Sequence, residues 1–154
     1  MKIGERKAQM QLSFGMIFSI ILIIIFIIFA FYAIRSFLRV NDSAKVGNFI
    51  NSLQEDVDSI WKAAKGSQEA SYTLPSNVNK ICFENRGDGN LVFYDNKNER
   101  VDNTPIADIK HINLTIMLRG FPPPPKACHN VTEEKVKMLL EKKYGEELVT
   151  IKRA

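Results

Sequence analysis

The sequence predicts an α+β fold: one N-terminal transmembrane helix continues into an amphipathic helix that packs on a small, mostly antiparallel sheet. A C-terminal helix and a final strand complete it. Three observations carry this reading. Residues 14–34, FGMIFSIILIIIFIIFAFYAI, form an apolar run with no charged residue between Lys7 and Arg35. The 3.6-residue period of a helix resumes at Val46. Beyond it, short β-type runs alternate with turn-forming clusters rich in Gly, Asn, Asp and Pro. The boundaries are a short basic leader at 1–12, a membrane helix at 13–35, an amphipathic helix at 36–66 and a small α+β domain at 67–154.

The apolar run is the right length for a bilayer. At about 1.5 Å per residue, a helix of roughly 21 residues spans the ~30 Å hydrocarbon core. It is apolar on every side, so it has no face to turn toward water. A secretory signal is the competing explanation, but such a segment has an apolar stretch of about 7–15 residues closed by small residues. Here the stretch is longer and ends Phe31-Tyr32-Ala33-Ile34-Arg35, which points to an uncleaved anchor. Cations flank both ends: Lys2, Arg6 and Lys7 before, Arg35, Arg39 and Lys45 after. The positive-inside rule therefore decides little. An extracytoplasmic C-terminal domain is expected instead from the even number of cysteines, Cys82 and Cys128, and from three N-x-S/T sequons, at Asn41, Asn113 and Asn130.

The leader, MKIGERKAQMQL, runs straight into the apolar segment. Lys7-Ala8-Gln9 is followed by Met10 and Gln11, and Gln11-Leu12-Ser13-Phe14-Gly15 has a Q-x-S-x-x form. This arrangement resembles the N-terminal region of archaeal type IV pilin-like proteins, where a short basic leader precedes a long apolar helix. The resemblance covers about 35 residues. It implies leader cleavage within residues Ala8, Gln9, Met10 and Gln11, and an apolar helix that serves both as anchor and as assembly element with other copies or pilin-like subunits. Those families carry a Glu early in the mature helix; the two possible frames place Ser13 or Gly15 there.

Past the membrane segment, Val46, Phe49, Ile50, Leu53, Val57, Ile60, Trp61 and Ala64 recur at steps of three and four. This stripe, with Phe49, Leu53, Ile60 and Trp61 foremost, is expected to dock the globular part. Asn41-Asp42-Ser43 is read as a cap or bend, and Gly66-Ser67 as the helix stop. Residues 67–75 read as a linker with one extended piece at 71–74. Residues 80–84 and 91–94 read as a hairpin joined through the positive-φ-tolerant cluster at 85–90. A second polar turn spans 95–100. Residues 110–118 alternate strictly, with Ile112, Leu114, Ile116 and Leu118 on one face and Asn113 on the other, so a strand is expected with the Asn113 sequon turned outward. Pro122 to Pro125 end it and favour polyproline II. A C-terminal helix is expected from the Thr132 cap, Glu133 and Glu134 in its first turn, a Val136/Leu139/Leu140/Tyr144 stripe and Gly145 at its end. A strand at 148–151 follows.

Little in the chain points to chemistry. The net charge of +4, from 21 basic and 17 acidic residues, is partly carried by the leader, and no basic stripe of a nucleic-acid binder is present. Cys82, Cys128, His111 and His129 match no zinc-ligand spacing. Neither histidine lies near a nucleophile motif such as G-x-S-x-G, and no glycine-rich phosphate loop occurs. Arg86-Gly87-Asp88 is read as turn chemistry, and the P-x-x-P within the proline run as a stiff connector. If the domain is extracytoplasmic, Cys82 and Cys128 pair as a disulfide; otherwise they are two buried thiols. The expectation is a non-enzymatic, membrane-anchored structural or assembly protein, pilin-like or pseudopilin-like, with no cofactor, no nucleic acid and no small-molecule ligand identifiable from a motif. The alternative is a membrane-tethered extracytoplasmic ligand-binding or accessory domain of a membrane complex.

Overall fold

The computed structural model describes residues 14–102, 104–120 and 126–154. The chain forms two compact units, Met1–Arg39 and Val40–Ala154. In the first, the described residues are all helical, the beginning of α1 (Phe14–Lys62). Every one of them is exposed, including the apolar side chains Phe14, Phe26, Phe29 and Tyr32. α1 is the one described helix long and apolar enough to cross a membrane, a property of its length and composition. It runs on through Asn41-Asp42-Ser43, so the expected cap or bend is absent.

In the second unit the chain has an α+β fold. The elements after α1 are β1 (Gly66–Thr73), β2 (Lys80–Arg86), β3 (Gly89–Tyr94), α2 (Leu114–Met117), β4 (Lys126–Asn130), β5 (Lys135–Lys142) and β6 (Thr150–Arg153). They build two three-stranded sheets, ordered β1-β5-β6 and β3-β2-β4, with antiparallel pairing throughout. Val46, Phe49, Leu53, Val57 and Ile60 of α1 are buried, which is the face that the helical period marks. Phe49 reaches both sheets, edge-on to Tyr72 of β1 at 5.4 Å and to Phe93 of β3 at 5.8 Å. Around it close Ile81 and Phe83 of β2, Leu91 of β3, and Val136, Met138 and Leu140 of β5.

Five further expectations are corrected. The C-terminal helix does not exist: Thr132 and Lys135 exchange backbone hydrogen bonds across a two-residue turn, and β5 follows. Glu133 and Glu134, at φ of 52° and 58°, are the two left-handed residues that such a hairpin turn demands. Val136, Met138 and Leu140 face inward with Lys135 and Lys137 outward, a period of two that competes with the helical reading of the same residues. The predicted strand at 110–118 is instead a turn followed by the single helical turn α2, whose first turn Asn113 caps by accepting the Ile116 N–H at 3.1 Å. That leaves Ile116 exposed and buries Met117. The expected linker at 67–75 is mostly β1, and α1 ends at Lys62, a few residues before Gly66. The final strand lies at Thr150–Arg153, two residues later than expected at its start.

The β2–β3 hairpin is as expected but tighter. Arg86 pairs with Gly89, so only Gly87 and Asp88 make the turn. Arg86 Nε donates to Asp88 Oδ1 at 3.1 Å, which engages the Arg-Gly-Asp charges with each other. Gly89, at φ +148°, has Ala107 O and Ile106 Cγ2 at 2.8 and 2.6 Å from where a Cβ would stand.

Candidate functional site

Three places in the Val40–Ala154 unit bring chemically active residues together. Cys82 and Cys128 face each other across β2 and β4 and are joined, with the sulfurs 2.07 Å apart. Sequence reading placed Cys128 only in a region after the prolines; β4 sets it opposite Cys82 in register. The bridge closes a loop of 46 residues. Chain entropy alone assigns such a loop about 4 kcal/mol.

The second place is on the outer side of α1. Trp61 belongs to the expected docking stripe, yet it is 37% exposed rather than in the core. Its ring stacks on His111, with centroids 3.7 Å apart and planes 7° off parallel. His111 Nδ1 lies 2.8 Å from Asp58 Oδ1. Gln54 donates to the same oxygen at 2.8 Å and accepts the Lys110 N–H at 2.8 Å. The hydrogen bond to His111 leads the causes that hold the Asp58 carboxyl below its ordinary range. This cluster has a His–Asp pair, and its geometry pins the 110–112 segment, where His111 takes a φ of 63°, onto the helix. On the neighbouring face Tyr72 Oη donates to Asp56 at 2.6 Å, and burial followed by that carboxylate raises the phenol strongly. Lys142, the last residue of β5, donates to the Trp61 and Ala63 carbonyls at 2.6 and 3.0 Å and so caps the C-terminus of α1.

The third place is a cleft of about 410 Å³ between the turn that joins β4 to β5 and the end of β6. His129 and Asn130 line it from β4, Glu133 from the turn after it, Lys135 and Lys137 from β5, and Arg153 from β6. Both sheets thus contribute. His129 is 5% exposed, and its Nδ1 is the buried side-chain polar atom without a hydrogen-bond partner among the described residues. Burial, with the Arg153 charge second, pushes this imidazole down to about 4. The ring sits edge-on to Phe83 at 5.9 Å. Sequence reading tested His129 against zinc-ligand spacing and against nucleophile motifs, and neither finds it. The signal it missed is the alternation Lys126-Ala127-Cys128-His129-Asn130, which buries Ala127 and His129 on one face of β4.

The sequons fall in unlike settings. Asn41 is exposed on α1, Asn130 is exposed at the end of β4 beside the cleft, and Asn113 is half-buried with its side-chain oxygen engaged as a cap. The expected cleavage residues Ala8, Gln9, Met10 and Gln11, and the proline run at 122–125, lie outside the described residues. Among the described residues, no group of three or more His, Cys, Asp or Glu is placed to hold a metal ion. No family model matches the chain, and no curated protein or solved structure is significantly similar to it.

Proposed function

We propose that this chain is a non-enzymatic, membrane-anchored assembly protein of pilin-like or pseudopilin-like type, with its α+β domain extracytoplasmic. The observation that carries the reading is in α1. Its apolar residues through Val40 are exposed on every side, whereas from Val46 onward the same helix supplies the core stripe of the domain. About 25 cal/mol per Å² of exposed apolar surface is unfavourable in water. Lipid and the apolar helices of neighbouring subunits both relieve that cost. The Cys82–Cys128 bridge supports an oxidising compartment for the domain, and the sequons at Asn41 and Asn130 are exposed as glycosylation requires. The leader around Ala8 and Met10 supports the assembly role through its resemblance to pilin-like proteins.

Two measurements on the native membrane fraction test this. Intact-mass spectrometry of the purified chain is expected to show loss of the leader, with a new terminus at Gln9 or Gln11. Disulfide crosslinking of single cysteines placed at Ile20, Ile24 and Ile28, in a background where both native cysteines remain bonded, is expected to trap helix-to-helix species. An intact Met1 together with exclusively monomeric protein overturns the assembly reading and leaves an ordinary anchor.

A further inference from the structure

We propose that the cleft lined by His129, Lys135, Lys137 and Arg153 is a binding site for a phosphate monoester. The inference stands apart from the anchor-and-assembly reading, since it uses only the Val40–Ala154 unit.

Charge is the first argument. Lys135, Lys137 and Arg153 form no ion pair among the described residues, whereas the neighbouring cations Lys45 and Lys152 pair with Glu134 and Glu141. Among the residues lining the cleft, three cationic side chains stand against the carboxylate of Glu133, with Ala154 and its carboxylate at the same rim. The balance stays positive and suits an anion such as a phosphate monoester, which carries about −1.5 to −2 near pH 7. Arg153, paired across the strands with the inward-facing Met138, supplies the planar fork that grips two phosphate oxygens at once, and the two lysines line the same cleft from the outward face of β5. Both lysines lie on the outward face of β5, two residues apart, so the strand's own period directs them to the same side.

The second argument is the buried nitrogen. An unpaired buried donor or acceptor costs about 1–3 kcal/mol, and native structures rarely leave one without a reason. The imidazole is neutral near pH 7, so it offers one N–H and one lone pair. Nδ1 itself has almost no accessible surface, so the ring must turn toward the cleft for a phosphate oxygen to become the partner that Nδ1 lacks. Size is the third argument. A volume of about 410 Å³ falls at the lower end of small-molecule sites and exceeds what a bare phosphate fills. Room therefore remains for the small polar group that the phosphate esterifies, with Asn130 at the margin to hydrogen-bond it.

The test uses the full chain in detergent micelles, unglycosylated, with inorganic phosphate as probe and ionic strength held constant with sodium chloride. The His129 imidazole resonances are followed by NMR. A saturable shift is expected with phosphate and none with added chloride. Arg153→Gln is expected to weaken binding roughly tenfold, the loss of one bidentate charged contact. Lys137→Gln is expected to weaken it severalfold, Glu133→Gln to strengthen it, and Lys152→Gln, outside the cleft, to leave it unchanged. The substituted side chains are exposed, and amide spectra confirm that each variant is folded. Glycerol 3-phosphate in solution and a short-chain phosphatidic acid in the micelle then present the same monoester from a soluble and a lipid source. Saturation by either one supports the site and identifies the source. A response that never saturates, that chloride reproduces, or that Arg153→Gln and Glu133→Gln leave untouched overturns the proposal.

Discussion

His129 makes the fold sensitive to mild acid. Its folded pKa of about 4 lies below the ordinary 6.5, so between these values the unfolded chain binds a proton that the folded chain refuses. Stability therefore rises with pH across that window and is at its plateau above it. The shift corresponds to a loss on the order of 3 kcal/mol between neutral pH and pH 4. Urea melts at pH 7, 5.5 and 4 are expected to show this loss in the native chain and a much flatter profile in His129→Phe, which keeps the aromatic contact with Phe83. A second single residue governs the β2–β3 turn. Gly89→Ala meets the Ala107 carbonyl and places a side chain at a φ of +148°, so neither the backbone nor the neighbour can relax cheaply. A loss of about 2–4 kcal/mol is expected in the same melts.

At the level of elements, the turn from β4 into β5 shows where sequence and structure part. Residues 132–145 carry a cap residue, two acids, a stripe at steps of three and a closing glycine, every local mark of a helix. The decisive marks are Lys137 and Met138. A helix would place them indifferently, whereas a strand puts Met138 in the core between Val136 and Leu140. Tertiary burial selects the second arrangement, and no local rule weighs it. The opposite error at 110–118 has the same origin, since Ile112 and Met117 are the residues that the core takes, a spacing of five that strict alternation cannot produce. The α1 stripe was legible because helical period and burial agree there over four turns. The cleft was not, because its cations come from separate strands of one sheet and its histidine from the other. The turn also yields a prediction. Two glutamates occupy left-handed positions that Asn and Gly fill with less strain. Glu133→Asn with Glu134→Gly forfeits only the half-exposed pair with Lys45. The double variant is expected to raise stability by about 1 kcal/mol, seen as a higher thermal midpoint.

For the whole molecule, the question is whether one chain holds two stabilities that can be lost separately. The Val40–Ala154 unit has its own core, its own disulfide and the capped end of α1, so its folding is expected not to require the apolar residues before it to be in lipid. The apolar residues, in turn, have no partner within the described chain. Charge introduced among them should therefore act on location alone. An Arg at the centre of a spanning helix costs roughly 2.5–3.5 kcal/mol on insertion scales, so two exceed what the remaining apolar side chains near the centre restore. Ile24→Arg with Ile27→Arg is expected to shift the chain from the membrane pellet to the soluble or aggregated fraction. The domain reports its own state through Trp61, the single tryptophan, whose stacking on His111 fixes its emission. In the variant that emission, and the thermal midpoint read from it, are expected to match the native chain. Retention in the pellet after alkaline extraction would refute the anchor. Loss of the Trp61 signature would refute the independence of the domain, so the two outcomes bear on separate parts of the molecule.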